Sequence, residues 1–177
     1  MAAVTPSSMN EANRNLETYF DDVTAEGSVR RLQIVRAGSR YFGIPAENIS
    51  TIVGWHEPTP LPDAPQTVLG VVSVQGRMLT VLDLARLTSG KADGNEAARG
   101  TAVHIVALRG DEQLALAVDE VREVIELSSG ESKTQTQMQT SLVPETFHHE
   151  NREIKILSLK ELFPAAIQGR ERRRRRF

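Results

Sequence analysis

The sequence predicts a mainly β protein in which two small, similar β-subdomains share one hydrophobic core and carry short helices. Three observations lead to this fold class. Short apolar runs such as VLGVVSV and AVHIVAL are continuous, which is typical of strands in closed barrels or in sheets buried on both faces. Glycine-containing turns separate such runs, and the chain also matches itself in an internal repeat.

The internal repeat predicts the domain organisation. Leu32–Val53 aligns without a gap on His104–Ile125, a shift of 72 residues, and Leu79–Leu87 aligns on Ile154–Leu162 at a shift of 75. Each copy holds roughly 60 residues, a size at which an isolated core is marginal, so we expect the copies to unfold together. The predicted boundaries are one domain at 30–165, with subdomain one at about 30–95 and subdomain two at about 100–165.

The strongest local prediction is a β-hairpin that follows a proline-stiffened approach. Four prolines between 58 and 65 fix φ and remove backbone donors, so we expect this approach to stay out of any sheet. The hairpin then runs over Leu69–Val74, turns at Gln75 and Gly76, and ends its second strand at Asp83. Because the approach and the V-Q-G-R tip have no counterpart in the repeat, they are predicted to carry function.

Short helices and polar segments complete the predicted chain. Helices are expected at Leu84–Thr88 and Leu159–Phe163, with Asp83 and Ser158 as their N-caps. Residues 1–29 form an N-terminal extension whose short amphipathic stretch is predicted to be a helix packed on the subdomains. The polar segments are a linker at 89–100, an insertion at 128–141 and a disordered arginine-rich tail at 166–177.

Composition limits the class of the protein and its compartment. The chain of 177 residues has no cysteine, which excludes disulfides and thiolate sites and suits a reducing compartment. No stretch reaches the roughly 20 apolar residues of a membrane span, and the N-terminus lacks the pattern of a secretory signal. We therefore expect a cytoplasmic protein.

The net charge of −2 hides an asymmetry between the tail and the rest of the chain. Residues 170–177 have a local charge of +5, which leaves −7 elsewhere. Three interpretations of the tail are open: a solubilising terminus, an electrostatic contact with an acidic surface such as nucleic acid or anionic lipid, or weak pairing with the acidic body. The arginines are Arg170, Arg172, Arg173, Arg174, Arg175 and Arg176.

Catalytic and metal-binding constellations are weak. Asp83 stands at a strand-to-helix junction, where helix capping is favoured over catalysis. His148, His149 and Glu150 are candidate metal ligands, but adjacent histidines on a loop rarely converge on one ion, so a solvated loop is favoured. The sequence has no phosphate-binding loop and no nucleophile-elbow motif. We predict that the protein is not an enzyme and uses no cofactor, metal or small-molecule substrate.

The segment PLPDAPQTVLGV, the hairpin with glycine at its turn, and the following VLDL resemble the CheW family of chemotaxis coupling proteins. Residues 73–76, S-V-Q-G, stand at the family's N-L-R-G positions, and Thr80 stands where the family usually has proline. The resemblance covers 30–165 and implies two five-stranded, SH3-like barrels that share a hydrophobic seam. It also implies a non-enzymatic scaffold that couples chemoreceptors to a CheA-type histidine kinase.

The resemblance further implies where partners bind. Ile49, Thr51 and Ile52 occupy the first apolar, the acidic and the last positions of the family's V-x-E-I element. Ile49 and Met78 would line a groove for the cytoplasmic tip of a methyl-accepting chemoreceptor, and barrel ends would contact the kinase regulatory domain. On residue type alone, core packing is the competing interpretation for both side chains. The implied receptor- and kinase-binding residues are Ile49, Thr51, Ile52, Gly70, Gln75, Gly76 and Met78.

Two departures from the family pattern leave alternatives open. Gln75 replaces the arginine of the turn, and Thr51 replaces the acid of the V-x-E-I element, so two charges are absent. One alternative is a diverged CheW-like paralogue that binds only one of the two partners. Another is a nucleic-acid or membrane-surface adaptor that depends on the arginine tail.

Overall fold

The structure of the chain, a computed structural model, describes residues 29–89, 101–110, 112–128 and 142–167. The predicted N-terminal helix, most of the polar linker and insertion, and the arginines of the tail lie outside these described residues. None of the helices in the described ranges has the length and apolar character that crossing a bilayer requires.

The described residues form ten β-strands joined by tight turns and short helical segments. Helix α1 spans Leu84–Thr88, and 3₁₀ turns lie at Ala46–Asn48 and Leu159–Glu161, the second of which continues as helix α2 over 162–167. The strands are β1 (Val29–Ala37), β2 (Arg40–Pro45), β3 (Ile49–Gly54), β4 (Val68–Val74), β5 (Arg77–Asp83), β6 (His104–Leu108), β7 (Leu114–Val118), β8 (Glu120–Ser128), β9 (Glu145–His149) and β10 (Arg152–Ile156).

The strands assemble into two five-stranded sheets of identical topology. Sheet A has the order β8-β1-β2-β10-β9, and sheet B has the order β3-β6-β7-β5-β4. Replacing each strand by its counterpart in the repeat converts one order into the other. Both sheets contain one parallel pair, β2 with β10 in sheet A and β5 with β7 in sheet B. The predicted internal repeat is therefore a repeat of structure.

The two sheets do not coincide with the two halves of the sequence. Sheet A takes β1 and β2 from the first half and β8, β9 and β10 from the second, and sheet B takes the complementary strands. The predicted subdomain boundaries of about 30–95 and 100–165 are therefore wrong. The chain crosses between the sheets at Ala46–Asn48 and again at Asp119. An apolar pattern indicates that a strand is buried, but it does not indicate which copy of the repeat provides the strand that pairs with it.

The hairpins at the end of the two copies have the same turn. Gln75 and Gly76 have φ of 51° and 78°, and Glu150 and Asn151 have φ of 47° and 66°. Positive φ at both central residues is characteristic of a type I′ turn, which fits the right-handed twist of the two strands. The V-Q-G-R tip therefore has a counterpart at 149–152, contrary to the expectation from sequence.

The largest buried cluster lies between the two sheets and is shared by both. Phe42 of β2 belongs to the same cluster as Leu82 of β5 and Leu116 of β7. Two smaller clusters are confined to sheet B and to sheet A. Strand β7 is buried along its whole length because Leu116 faces the shared cluster while its neighbours Ala115 and Ala117 face the cluster of sheet B. The predicted common core is confirmed.

The two predicted helix starts differ in how they are capped. The Asp83 carboxylate accepts a hydrogen bond from the backbone N–H of Arg86 at 3.0 Å, so Asp83 is the predicted N-cap of α1. The Ser158 side chain makes no capping hydrogen bond, because the segment opens with a 3₁₀ turn in which Glu161 N–H donates to the Ser158 carbonyl. Helix α2 also continues to residue 167, past the predicted end at Phe163.

Candidate functional site

The β4–β5 hairpin presents predicted binding residues at one edge of sheet B. Gln75 and Gly76 are exposed at the turn, and the nearby Met78 is 57% exposed. Because side chains alternate along β5, Met78 shares a face with Thr80 and Leu82, and Leu82 belongs to the cluster between the sheets. Met78 therefore extends the inter-sheet face of sheet B into solvent, and core packing is the wrong interpretation for this residue.

A close approach of two backbone segments explains why position 70 is a glycine. Its φ is +146°, and it follows a register shift in β4. Thr59 of the proline approach pairs with Val71 through two backbone hydrogen bonds of 2.9 Å, so the approach does join the sheet at this one residue. A Cβ atom on Gly70 would overlap the Thr59 carbonyl oxygen and lie 2.7 Å from the carbonyl carbon. The glycine is required by this packing before any partner is considered.

Strand β3 carries the other predicted binding residues at the opposite edge of sheet B. A bulge between Ile49 and Thr51 shifts the register against β6. As a result, Ile49 and Ile52 both pack against the cluster between the sheets, and both are partly buried. Thr51 instead lies opposite Ala107, which belongs to the separate cluster of sheet B. The V-x-E-I element therefore directs its side chains to two different faces.

A cleft of about 360 Å³ opens beside Ile49. It lies between the β6–β7 turn and the 3₁₀ turn at Leu159–Glu161. Its apolar part comes from three leucines and its rim is polar, with two basic side chains and one acidic side chain. The lining residues are Asn48, Leu108, Arg109, Gly110, Glu112, Gln113, Leu114, Leu159 and Lys160.

Hydrogen bonds join this cleft to both predicted binding elements. The Arg109 guanidinium donates through Nε to the Ile49 carbonyl at 2.9 Å. On the other side, the Arg77 guanidinium donates to the Gly110 carbonyl at 3.3 Å. The β6–β7 turn is thus held against the start of β3 and against the base of the β4–β5 hairpin.

The sheet register places Met78 on the same face as the cleft. Leu114, which lines the cleft, is the register partner of Thr80 in the parallel β5–β7 pair. Met78 precedes Thr80 by two residues and therefore points to the same side of the sheet. We use the name cleft surface for the cleft residues together with Ile49, whose carbonyl Arg109 contacts, and Met78, which lies on the same face of sheet B as Leu114.

The family model for the CheW-like domain matches residues 31–167. The chain belongs to the CheW-like domain family. The chemotaxis protein CheW of Rhizobium meliloti (strain 1021) is 35% identical over 102 residues, 56% of this chain and 62% of that protein. A probable chemotaxis protein CheW of Rhizobium etli is 32% identical over 98 residues, 54% of this chain and 60% of that protein. The aligned part of the chain therefore spans less than two thirds of either relative.

A solved structure supports the same fold. The scaffolding protein TtCheW from Thermoanaerobacter tengcongensis superposes with a TM-score of 0.66 at 21% identity, over 77% of this chain and 88% of that one. The predicted fold class, two SH3-like five-stranded barrels that share a core, is confirmed. The cleft lies between the β6–β7 turn of sheet B and the 3₁₀ turn that follows β10 of sheet A.

The position in sheet A that corresponds to the cleft is filled by charged and aromatic side chains. Arg122 and Arg36 donate to the Glu120 carboxylate at 2.9 and 3.0 Å, and together they lower the pKa of that carboxyl below its usual 4.5. Arg122 also stacks over the Tyr41 ring, 5.7 Å from its centroid. By the strand registers, Arg36, Glu120, Arg122 and Tyr41 correspond to Arg109, Asn48, Ser50 and Gln113. At Asn48 and Gln113, two residues that line the cleft, sheet B has smaller, neutral side chains in place of Glu120 and Tyr41.

The structure brings together only part of the predicted binding set. Gln75, Gly76 and Met78 lie on one hairpin, whereas Ile49 lies on β3 and accepts a hydrogen bond from Arg109 of the cleft. Sequence reasoning missed the cleft itself, including Arg109 and Lys160, because neither residue belongs to a motif. The six tail arginines lie outside the described residues.

Proposed function

We propose that this CheW-like chain is a non-enzymatic cytoplasmic adaptor that couples methyl-accepting chemoreceptors to a CheA-type histidine kinase. The observation that carries the proposal is the cleft surface within a CheW-like domain. The receptor's cytoplasmic helical tip would dock there, and the kinase regulatory domain would contact a barrel end that includes the β4–β5 turn. The names of the relatives, a chemotaxis protein and a scaffolding protein, support this role.

The shape and chemistry of the cleft surface suit a docked helix. Amphipathic helices insert apolar anchors into a groove and leave polar contacts at its rim. Met78 and Ile49 offer apolar contact at the two ends of the surface, and leucines line the cleft between them. Arg109 and Lys160 lie at the rim, where they favour a helix that carries acidic side chains.

The two departures from the family pattern, Thr51 and Gln75, are consistent with substitutions that compensate each other. In sheet A, the counterparts of Thr51 and Gln75 are Glu123 and Glu150, whose carboxylate oxygens lie within 4.8 Å of each other. The shared topology therefore supports a similar approach of Thr51 and Gln75 across sheet B. Two neutral side chains at neighbouring positions would replace an acid and an arginine without leaving either charge unpaired.

Restoring the arginine tests whether the turn contacts a partner. Gln75→Arg is expected to strengthen binding to either the kinase regulatory domain or the receptor tip by roughly ten- to a hundredfold, because a charged hydrogen bond contributes about 1.5–3 kcal/mol. Titration of each partner separately with wild type and variant measures this. Unchanged affinity for both partners would show that position 75 of the turn does not contribute to partner binding in this protein.

Placing a charge on the cleft surface tests the docking site. Met78→Glu is expected to weaken receptor-tip binding by about tenfold or more, because the glutamate would be desolvated against an apolar anchor. Since Met78 is 57% exposed, the free energy of unfolding should change by less than about 0.5 kcal/mol. Val29→Glu is the matched control, because Val29 is 52% exposed on sheet A. Equal losses in both variants would contradict the assignment.

A pull-down distinguishes the adaptor from the alternatives. Retention of a CheA-type kinase at moderate salt supports coupling, and retention of the kinase or the receptor alone indicates a paralogue with a single partner. Binding to DNA or anionic lipid only, lost on deletion of 170–177, would replace the proposal with an adaptor that acts through its arginine tail.

A further inference from the structure

Three side chains with metal-binding atoms converge on sheet A, away from the cleft surface. Glu123, His149 and Glu150 each offer one ligand atom, and these atoms all lie within 4.8 Å of one another. Glu123 lies on β8, His149 is the last residue of β9, and Glu150 is the first residue of the β9–β10 turn. The solvated loop favoured from sequence is therefore wrong for His149, and its adjacent His148 is not part of the group.

The backbone holds these three residues in place from two directions. Strands β8 and β9 are the two edges of sheet A in the strand order, so the group lies where the edges approach each other. Glu123 lies where the register of β8 shifts against β1, and the Gln33 side-chain amide donates to the backbone carbonyls of Arg122 and Glu123 there. His149 is the register partner of Arg152 on β10. The type I′ turn fixes Glu150. Ligands held on paired strands lose less conformational entropy on binding than ligands on a free loop.

We propose that Glu123, His149 and Glu150 bind one divalent transition-metal ion of the zinc type, which joins the two edge strands of sheet A. One imidazole and two carboxylates are common zinc ligands, and a fourth position stays open to water. The imidazole favours such ions over Mg²⁺ and Ca²⁺, which prefer oxygen ligands. With bonds of about 2.1 Å, tetrahedral ligands lie roughly 3.4 Å apart, so the exposed carboxylates need to move by only about 1.4 Å.

The cations near the site do not prevent binding. Arg152 contacts the Glu150 carboxylate at 3.6 Å, but the side chains are 38% and 63% exposed, and exposed ion pairs are weak. The Arg152 guanidinium also stacks over the Tyr41 ring, 5.3 Å from its centroid. Arg152 can keep this contact when a metal ion replaces it beside the Glu150 carboxylate. Arg122, next to Glu123 in sequence, is hydrogen-bonded to Glu120 at 2.9 Å.

The repeat supplies an internal comparison for the stoichiometry. The counterparts of Glu123, His149 and Glu150 in sheet B are Thr51, Val74 and Gln75. These residues offer no imidazole and no carboxylate, so sheet B lacks the donor set. We expect one ion per chain, bound to sheet A.

Titration of the full chain with Zn²⁺ tests this site. Wild type is expected to bind one ion per chain, and excess Zn²⁺ should raise the Tm relative to EDTA because the ion binds only the folded arrangement of the edges. Glu123→Gln and His149→Ala are each expected to weaken binding by about tenfold or more. His148→Ala and Glu153→Gln are the matched controls, since they remove the same groups from neighbouring exposed positions, and they should change affinity by less than twofold.

A second measurement keeps the test independent of folding defects. Bound Co²⁺ should give visible absorption bands of a low-coordinate site in wild type and in both controls, and these bands should be absent in Glu123→Gln, whose fold is checked by circular dichroism. The proposal is overturned if Zn²⁺ does not saturate near one equivalent. It is equally overturned if His149→Ala binds as tightly as His148→Ala.

Discussion

Replacing Phe42 with alanine is expected to destabilise both sheets at once, by about 3–5 kcal/mol. Phe42 is fully buried on β2 of sheet A, yet its cluster contains Leu82 and Leu116 of sheet B. The substitution removes apolar contacts and leaves a cavity at the junction of the sheets, which cannot collapse without moving one sheet toward the other. Folded domains have only about 5–15 kcal/mol of stability, so this loss is at least a fifth of the total and approaches all of it at the lower end of the range.

The single tryptophan makes the coupling between sheets measurable. Trp55 follows β3 of sheet B, and its backbone N–H donates to the Val103 carbonyl at 2.9 Å. In urea, Trp55 fluorescence and far-UV circular dichroism should report the same midpoint in Phe42→Ala, lowered relative to wild type. Met78→Ala should leave both signals unchanged, since that side chain is 57% exposed. A Trp55 transition unaffected by Phe42→Ala would show that the sheets unfold independently.

Sequence reasoning succeeded where structure is determined by neighbouring residues. The turn at Gln75 and Gly76, the helix at Leu84–Thr88 and the cap at Asp83 all follow from local rules on glycine, apolar runs and capping oxygens. The predicted cap at Ser158 was wrong because residue type alone does not decide capping: serine and aspartate can both accept the hydrogen bond, but Ser158 does not. Only the backbone geometry of the first turn decides whether the side chain is used.

Sequence reasoning was wrong where strands of different copies pair. In a repeat, β1 can pair with β3 of its own copy or with the matching strand of the other copy, β8. Both arrangements bury the same residues. Here β1 pairs with β8 of the second copy instead of remaining entirely with the first. The cleft was missed for a related reason. Its lining combines the β6–β7 turn with the 3₁₀ turn at Leu159–Glu161, and no sequence motif joins these two segments.

Replacing Gly70 with alanine is expected to destabilise the protein by about 2–4 kcal/mol, the second largest effect that we predict. Two costs combine at this position. A φ of +146° is unfavourable for any residue with a Cβ atom, and that atom would meet the Thr59 backbone, which cannot rotate away as a side chain could. The bridge between Thr59 and Val71 should therefore break, and these two amides should exchange faster with deuterium.

Two other glycines separate the costs that combine at Gly70. Gly76 has φ of +78° with open space around it, so Gly76→Ala should cost about 1 kcal/mol from backbone conformation alone. Gly54 has open space and no positive φ, so Gly54→Ala should change the free energy of unfolding by less than about 0.5 kcal/mol. Urea unfolding of the three variants should rank them in this order. If Gly70→Ala instead keeps full stability and loses partner binding, Gly70 contacts a partner directly, as the family resemblance implied.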